Sequence, residues 1–199
     1  MKLINSRTII KIVITILISI LLIVPFYQLG IEIVNFTING KIIVELKYIL
    51  AGVLFIIGSI ICIYDEFYSK DNNFFIEFIS TKILIDTVLV ILTSVNMINP
   101  IITIAVIVRD IVVDAVNVIV VREGYFIKRN ILSKTKMVMI IIGIILTLFY
   151  NLPFEMLNLR ISDFILIVGA VMSIVSAVQY YNINKKILQS NKLNKISTN

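Results

Sequence analysis

The sequence predicts an all-α integral membrane protein that forms a single domain of six transmembrane helices over residues 1–199. Composition is the first reason: 59% of the 199 residues are hydrophobic and 15% are charged, whereas a soluble domain carries about 25% charged residues. So few charges cannot cover a water-facing surface, which excludes an ordinary soluble globular protein. The second reason is that the apolar stretches are near the length, about 20 residues, that a helix needs to cross the hydrocarbon core. Helices are expected because lipid offers no partners to free backbone groups.

The six spans are expected at residues 12–31, 44–64, 74–99, 101–121, 137–152 and 164–181. The first contains no charged residue, and the second contains none from Tyr48 to Tyr64. The third and fourth are interrupted by charged residues, and Pro153 follows the fifth. The basic residues before the first span look like the start of a signal peptide. However, the apolar run is too long for one and no small-residue cleavage site follows, so a retained helix is predicted.

The charge balance predicts how the chain lies in the membrane. It carries 18 Lys and Arg against 12 Asp and Glu, a net charge of +6. With six spans, nearly all of the basic residues fall on one side, and the other side holds only Lys41, Lys47 and Arg160. By the positive-inside rule both termini are cytoplasmic. The heavy use of Ile, Asn and Lys favours a bacterial cytoplasmic membrane as the location.

Residue counts exclude several kinds of chemistry. The absence of His removes His-based acid–base catalysis and His metal ligands. A single cysteine, Cys62, excludes an intramolecular disulfide. The positive charge belongs to the predicted cytoplasmic side of a membrane protein, so it gives no reason to expect a nucleic-acid partner.

Ionisable residues inside the predicted spans are candidates for function because they are costly in lipid. Asp110, Asp114 and Asn117 lie on one face of span four, which should point into the bundle. Arg109 lies about 20 Å from the cytoplasmic end of that span, so it needs a carboxylate partner or a wet cavity. A structural ion-pair network explains these residues equally well.

Two further patterns concern helix packing. Lys82 and Asp86 are four residues apart in span three and are expected to form a neutralising pair. Gly169, Ser173 and Ala177 repeat at the same spacing in span six, and small residues at that spacing let helices approach closely. This seam joins either two copies of the chain or two helices within one copy.

Two charged clusters flank the spans on the predicted cytoplasmic side. The acidic cluster holds Asp65, Glu66, Asp71 and Glu77. Carboxylates gathered in this way can hold a divalent cation through oxygen ligands, although the spacing alone favours a solvated loop. The basic cluster holds Lys128, Arg129, Lys134 and Lys136. It would attract anionic lipids or phosphorylated ligands, and the positive-inside rule explains it as well.

The fourth span and the basic stretch after it resemble a known protein family. Residues Val108 to Met137, VRDIVVDAVNVIVVREGYFIKRNILSKTKM, match without a gap a run that reads AREILVSGLRLLAAERG and then GKLKT in CDP-alcohol phosphatidyltransferases. The N-terminal NSRTIIK is similar to the family's NLLTLLR, with Lys11 in place of its Arg. The resemblance is to the phosphatidylglycerophosphate synthase branch, and it implies the family's six-span bundle. It also implies a set of substrate-binding residues, namely Lys70, Arg109, Asp110, Lys134 and Lys136.

The resemblance further implies a metal site, and there the sequence departs from the family. Family members carry DxxDGxxAR followed by GxxxDxxxD, whose four aspartates hold two divalent cations. The corresponding region is CIYDEFYSKDNNFFIEFISTK, and the aspartate positions are taken by Cys62, Asp65, Glu77 and Thr81. Asp65 and Glu77 would supply what metal binding and catalysis remain, because Mg²⁺ requires oxygen ligands. Thr81 stands at the position of the family's presumed base, and a hydroxyl cannot act as a carboxylate base.

The expected function is that of a phosphatidylglycerophosphate-synthase-like protein of phospholipid synthesis, which uses CDP-diacylglycerol and an alcohol phosphate. The degraded motif predicts a diverged pseudoenzyme with weak or no catalysis that keeps a cytoplasmic pocket for lipid phosphate. Whether it is an enzyme stays open: an active form would need Mg or Mn, and an inactive form would need no cofactor. The expected partner is a membrane lipid such as CDP-diacylglycerol, with a homodimer as an open alternative. A different function also suits a small chain rich in Ile, Asn and Lys, namely immunity to, or export of, a membrane-active peptide without catalysis.

Overall fold

Helices make up most of the described part of the chain, which in this computed structural model comprises residues 6–26, 35–38, 42–68, 74–122, 131–155 and 161–196. In chain order the helices are α1 (Ser6–Ile23), α2 (Leu46–Tyr68), α3 (Phe74–Ser94), α4 (Pro100–Arg122), α5 (Ile131–Leu148), α6 (Leu152–Glu155) and α7 (Ile161–Ile196). Two short strands, β1 (Asn35–Ile38) and β2 (Ile42–Glu45), form an antiparallel hairpin before α2. The predicted all-α class did not include this hairpin, whose strands are rich in β-branched residues.

Helix boundaries differ from the predicted spans in ways that matter for the site. α1 begins at residue 6 and not at residue 12, so Arg7 and Lys11 lie inside the helix. α2 continues beyond its predicted end at residue 64, which makes Asp65 helical. α5 begins before the predicted residue 137, so Lys134 and Lys136 lie in its first two turns. In each case a polar turn extends the helix because its charged side chains have partners, which hydropathy alone does not reveal.

Within the described residues, three helices are long and apolar enough to cross a membrane. They are α1, α2 and the segment Ile161–Gln179 of α7, with mean hydropathies of 2.2, 2.4 and 2.3. Many of their large apolar side chains are exposed; Ile16 is 53%, Ile60 62% and Val175 53% exposed. An apolar surface of this extent suits lipid and not water. The predicted class of a helical membrane protein therefore agrees with the structure, whereas the count of six spans stays a prediction.

The long helices form two groups of three. α1 packs against α2 and α3, and α7 packs against α4 and α5. Contacts of α2 with α5 and of α3 with α4 join the two groups. A glycine allows the closest approach of α5 and α7, because a Cβ on Gly143 would lie 2.6 Å from Cγ of Leu166. Aliphatic side chains such as Leu84 and Ile144 are fully buried in the core.

The small-residue seam of α7 makes contacts within the chain. Ser173 is fully buried, and its carbonyl oxygen accepts a hydrogen bond from Arg109 Nε of α4 at 3.0 Å. A Cβ on Gly169 would lie 3.1 Å from Cγ1 of Ile140 in α5. Of the two uses predicted for this seam, the structure shows the contact between helices of one copy.

Candidate functional site

One group of charged side chains joins the first three long helices, and we call it the α1–α3 cluster. Its members are Arg7 and Lys11 of α1, Asp65 of α2, and Glu77 and Thr81 of α3. Lys11 Nζ donates hydrogen bonds to Asp65 Oδ2 at 2.8 Å and to the carbonyl oxygen of Glu77 at 2.9 Å. The same nitrogen donates to Thr81 Oγ1 at 3.0 Å. Arg7 Nη1 donates to Asp65 Oδ1 at 2.8 Å, and Arg7 Nη2 lies 3.4 Å from Glu77 Oε1.

Most of the α1–α3 cluster is buried, and its cations and carboxylates are paired. The side chain of Lys11 is 0% exposed, and those of Asp65 and Glu77 are 4% and 3% exposed. Among its five named members, two cationic side chains face two carboxylates. A buried ionic network of this kind is stable only while every member keeps its partners, because an uncompensated buried charge is strongly destabilising.

A second group, which we call the α4–α5 cluster, lies between the fourth, fifth and last long helices. Its members are Arg109 and Asp110 of α4, Lys136 of α5, and Ser173 and Ser176 of α7. Asp110 Oδ1 accepts hydrogen bonds from Arg109 Nη1 at 2.6 Å and from Lys136 Nζ at 2.7 Å. Arg109 Nη2 donates to Ser176 Oγ at 2.7 Å. The carboxylate partner predicted for Arg109 is therefore its neighbour in the sequence. Of the three residues predicted to point inward, Asp110 and Asn117 are buried, whereas the side chain of Asp114 is 37% exposed because it pairs with Lys82 at the edge of the α3–α4 contact.

Lys82 does not form the predicted pair with Asp86. Its ammonium group instead pairs with Asp114 of α4, and Lys82 Nζ lies 3.4 Å from the carbonyl oxygen of Asp110. Asp86 Oδ1 is buried and has no hydrogen-bond partner among the described residues. The packing of α3 against α4 explains the difference, because it brings a carboxylate of another helix within reach of Lys82.

A small cavity lies between the two clusters. Its volume of about 30 Å³ has room for one or two water molecules. Glu66 and Thr81 line it from one side, Asp110 and Lys136 line it from the other, and Asp86 also borders it. Ligand pockets for small molecules are roughly ten times larger. A ligand with a phosphate group can therefore enter only if these side chains move apart.

Comparison with known proteins decides the family. The family model of CDP-alcohol phosphatidyltransferase matches residues 78–197, which is more than half of the chain. The chain belongs to the CDP-alcohol phosphatidyltransferase family. One relative, the CDP-diacylglycerol–glycerol-3-phosphate 3-phosphatidyltransferase of Bacillus subtilis (strain 168), is 25% identical over 192 residues. Those residues cover 94% of this chain and 96% of the relative. The family resemblance predicted from the N-terminal residues and from the stretch between Val108 and Met137 is thereby confirmed.

Among the described residues of this phosphatidyltransferase-family chain, the acidic side chains do not fit a divalent metal ion; Asp71 of the predicted acidic cluster lies outside those residues. The family match begins directly after Glu77, so Asp65 and Glu77 both lie outside it. The structure brings these two residues together, as the motif predicted, but cations of α1 contact both carboxylate oxygens of Asp65 and Oε1 of Glu77. Within the described ranges no group of three or more His, Cys, Asp or Glu side chains could hold a metal ion.

The predicted substrate-binding residues have different surroundings. Arg109, Asp110 and Lys136 come together in the α4–α5 cluster. Lys134 lies near the end of α2, where its Nζ is 4.9 Å from the centroid of the Phe67 ring. Lys70 lies outside the described residues.

Sequence reasoning missed the roles of Arg7 and Lys11 in this site. The positive-inside rule is sufficient to explain basic residues before an apolar run, so neither residue stands out in the sequence. One signal could have revealed Lys11: together with Thr8 and Thr15 it forms a polar row on one face of α1, and all three residues are buried. A polar row of that kind indicates partners on neighbouring helices.

Proposed function

We propose that this chain is a phosphatidyltransferase-family membrane protein of phospholipid synthesis that binds the phosphate of a membrane lipid at its cytoplasmic side and transfers little or no phosphatidyl group. One observation carries the proposal: the two carboxylates left in the acidic motif, Asp65 and Glu77, are bound by Arg7 and Lys11. Metal-assisted phosphoryl chemistry needs carboxylates that are open to the ions which neutralise the substrate. In this chain the same oxygens are already neutralised by α1.

The proposed loss of transfer also rests on Thr81. Its Oγ1 accepts a hydrogen bond from Lys11 and donates one to the carbonyl oxygen of Glu77, both at 3.0 Å. A hydroxyl group held in this way cannot take the proton of an attacking alcohol. A positioned base contributes roughly 10²–10⁴-fold to such a reaction. The missing base and the closed carboxylates would therefore act in the same direction.

The α4–α5 cluster and Lys134 support phosphate binding. Lys136 uses one of its three N–H donors, on Asp110, among the described residues. Arg109 and Lys136 share that single carboxylate, and both line the cavity. A phosphate that entered between α2, α4 and α5 would meet the free donors of Lys136 and the charge of Lys134. We propose CDP-diacylglycerol as the lipid, because the Bacillus subtilis relative is named for it.

The proposed arrangement in the membrane has six spans and cytoplasmic termini. α3, α4 and α5 contain 21, 23 and 18 residues. At 1.5 Å per residue each helix is about 27–35 Å long, which is comparable to the hydrocarbon core. Their charged side chains pair with one another across helix contacts, which lowers the cost of placing them at membrane depth. The seam in α7 lends no support to a homodimer, because its contacts lie within one copy.

CMP release tests the catalytic half of the proposal. Purified protein in detergent is given CDP-diacylglycerol, Mn²⁺ or Mg²⁺, and glycerol 3-phosphate or another alcohol. The Bacillus subtilis relative, purified in the same way, serves as the positive control. We expect no divalent-dependent CMP release above that of Asp65→Ala. Release by the wild-type chain that Asp65→Ala abolishes would refute the proposed loss of transfer.

Binding of CDP-diacylglycerol in mixed micelles tests the phosphate half. Lys134→Ala combined with Lys136→Met should weaken binding severalfold at low salt, and the difference should shrink as salt rises. Lys47→Ala is the matched control, because Lys47 pairs with Glu45 at the opposite end of α2. Circular dichroism confirms that each variant is folded. Equal affinities of the double variant and Lys47→Ala would contradict the proposed site.

A further inference from the structure

Oxygen atoms surround the ammonium group of Lys11, as they surround a metal ion bound to a protein. Its Nζ lies within 3.0 Å of three oxygens, which belong to Asp65, Glu77 and Thr81. An ammonium group has three N–H donors and no acceptor, so each donor has one oxygen partner. The side chain is 0% exposed, so the group takes no part of its coordination from solvent.

Arg7 contacts the second oxygen of the Asp65 carboxylate and one oxygen of the Glu77 carboxylate, whereas Lys11 contacts Glu77 through its backbone carbonyl oxygen. Its Nη1 donates to Asp65 Oδ1 at 2.8 Å, while Lys11 binds Asp65 Oδ2. Its Nη2 lies 3.4 Å from Glu77 Oε1. Its side chain is 28% exposed, which makes Arg7 the more solvent-accessible of the two cations. Both oxygens of Asp65 are thus taken by charged groups of α1.

We propose that the side chains of Lys11 and Arg7 neutralise the motif carboxylates in place of a divalent metal ion. They hold the carboxylates of α2 and α3 against α1, and they keep metal ions out of the α1–α3 cluster. Its two cations already balance its two carboxylates, and a divalent ion would add two positive charges to a largely buried site unless Lys11 left. Because Lys11 is tethered to its partners by the fold, it competes at a high effective concentration. The fold is therefore stable without divalent cations.

This inference rests on the contacts of Asp65 and Glu77 with α1, which also support the proposed loss of transfer, and it does not rest on the phosphate site. Its tests use no lipid nucleotide. A failure of Lys134 and Lys136 to bind CDP-diacylglycerol would leave it standing. Mn²⁺ binding by the wild-type protein would overturn it, whether or not the lipid binds.

The test compares wild-type protein with Lys11→Met, which keeps most of the side-chain length and removes the charge. Mn²⁺ binding is followed by electron paramagnetic resonance, and thermal unfolding in detergent is followed by circular dichroism in EDTA and in excess Mn²⁺. The wild-type protein should bind no Mn²⁺ and unfold at one temperature in both conditions. Lys11→Met should unfold about 10 °C lower in EDTA, because Asp65 loses its buried partner. Mn²⁺ should then restore part of that loss, whereas Lys47→Met should behave as the wild type does.

A second pair of variants covers the case in which Lys11→Met does not fold. Lys11→Met combined with Asp65→Leu removes one cation and one carboxylate together, so it should fold and unfold near the wild-type temperature. Asp65→Leu alone leaves Lys11 unpaired and should be as unstable as Lys11→Met. Three results would each overturn the proposal: Mn²⁺ binding to the wild-type protein, a Lys11→Met protein as stable as Lys47→Met, or a folded Lys11→Met protein that Mn²⁺ does not stabilise.

Discussion

Charged side chains inside this bundle find their partners mainly on other helices. Lys11 of α1 binds Asp65 of α2, and Lys136 of α5 binds Asp110 of α4. Desolvating a charged group costs several kcal/mol, so a buried charge needs a partner with good geometry. An exposed pair within one helix contributes roughly 0.2–0.5 kcal/mol. Interhelical pairs therefore connect the helices of the bundle. Removing one of them should weaken the packing of two helices against each other.

Asp110→Asn should be among the most damaging single substitutions. Asp110 Oδ1 accepts hydrogen bonds from both Arg109 and Lys136, and its side chain is 8% exposed. Asn preserves the shape of the side chain but removes its charge, and with it the carboxylate that Arg109 and Lys136 both contact. We expect a loss of about 3–5 kcal/mol in the free energy of unfolding. Thermal unfolding of the detergent-solubilised protein, followed by circular dichroism, measures it.

Asp114→Asn is the matched control for that substitution. Asp114 also pairs with a lysine, Lys82, but its side chain is 37% exposed. An exposed pair of this kind is worth at most about 1 kcal/mol because solvent screens it. Equal losses in the two variants would show that burial does not set the strength of these pairs.

The sequence predicted the charged residues of the α4–α5 cluster. Of the α1–α3 cluster it predicted the acidic residues but not their cationic partners. Arg109, Asp110 and Lys136 fall in one family motif, and the structure brings them together. Asp65 was identified through the acidic motif, but its partner Lys11 is separated from it by 54 residues. No local pattern encodes a contact over that distance, because it depends on how α1 packs against α2.

At the scale of the helix, hydropathy located each long helix but not its ends. A span predicted from hydropathy ends where charged residues begin. The helix itself can continue beyond that point when the charged side chains have partners on neighbouring helices. α1 therefore begins ahead of Lys11, and α5 begins ahead of Lys134. The β1–β2 hairpin was missed for a related reason: its strands span residues 35–38 and 42–45, too short to contrast with the spans on either side.

Ser173→Leu should weaken the contact of α7 with α4. Ser173 is fully buried where its carbonyl oxygen meets the Arg109 guanidinium. A leucine side chain has no space there, and overpacking of this kind costs about 1–3 kcal/mol. The unfolding midpoint in detergent should fall, while the oligomeric state measured by size exclusion with light scattering should stay the same.

Ser173→Ala provides the control for Ser173→Leu. The Oγ of Ser173 is buried and has no hydrogen-bond partner among the described residues. Removing an unsatisfied buried hydroxyl removes a cost of about 1–3 kcal/mol, so Ser173→Ala should be neutral or stabilising. If Ser173→Leu is as stable as Ser173→Ala, the close contact of α7 lies elsewhere.

Gly143→Ala should destabilise the contact of α5 with α7. The added Cβ would lie 2.6 Å from Cγ of Leu166, well inside normal contact distance. The expected overpacking cost of about 1–3 kcal/mol exceeds the gain of about 1 kcal/mol in helix propensity. Combining it with Leu166→Ala makes room for the new methyl group, so the penalty of Gly143→Ala should largely vanish in that background. A penalty that is unchanged there would rule out Leu166 as its cause.

At the scale of the whole molecule, the two groups of three helices have different electrostatic interiors. Between α1, α2 and α3, every carboxylate oxygen of Asp65 is neutralised by a cation of the same group. Between α4, α5 and α7, two cations share one carboxylate beside a small cavity. The family match covers residues 78–197, and therefore most of α3 and all of α4 to α7. The proposed loss of metal-dependent transfer therefore concerns the first group, and the proposed phosphate binding concerns the second.

The number of membrane spans determines on which side of the membrane the charged clusters of the two helix groups lie. Six spans with cytoplasmic termini place Asn39 and Asn96 outside and Gly124 and Asn199 inside. If only α1, α2 and α7 crossed, Asn96 would be inside and Asn199 outside. Alkaline phosphatase, which is active outside, and green fluorescent protein, which fluoresces inside, are fused after each of the four residues. We expect phosphatase activity at the first two sites and fluorescence at the last two, because the basic residues lie on the side of the termini. Fluorescence after Asn96 with phosphatase activity after Asn199 would establish three spans and would move α3, α4 and α5 out of the membrane.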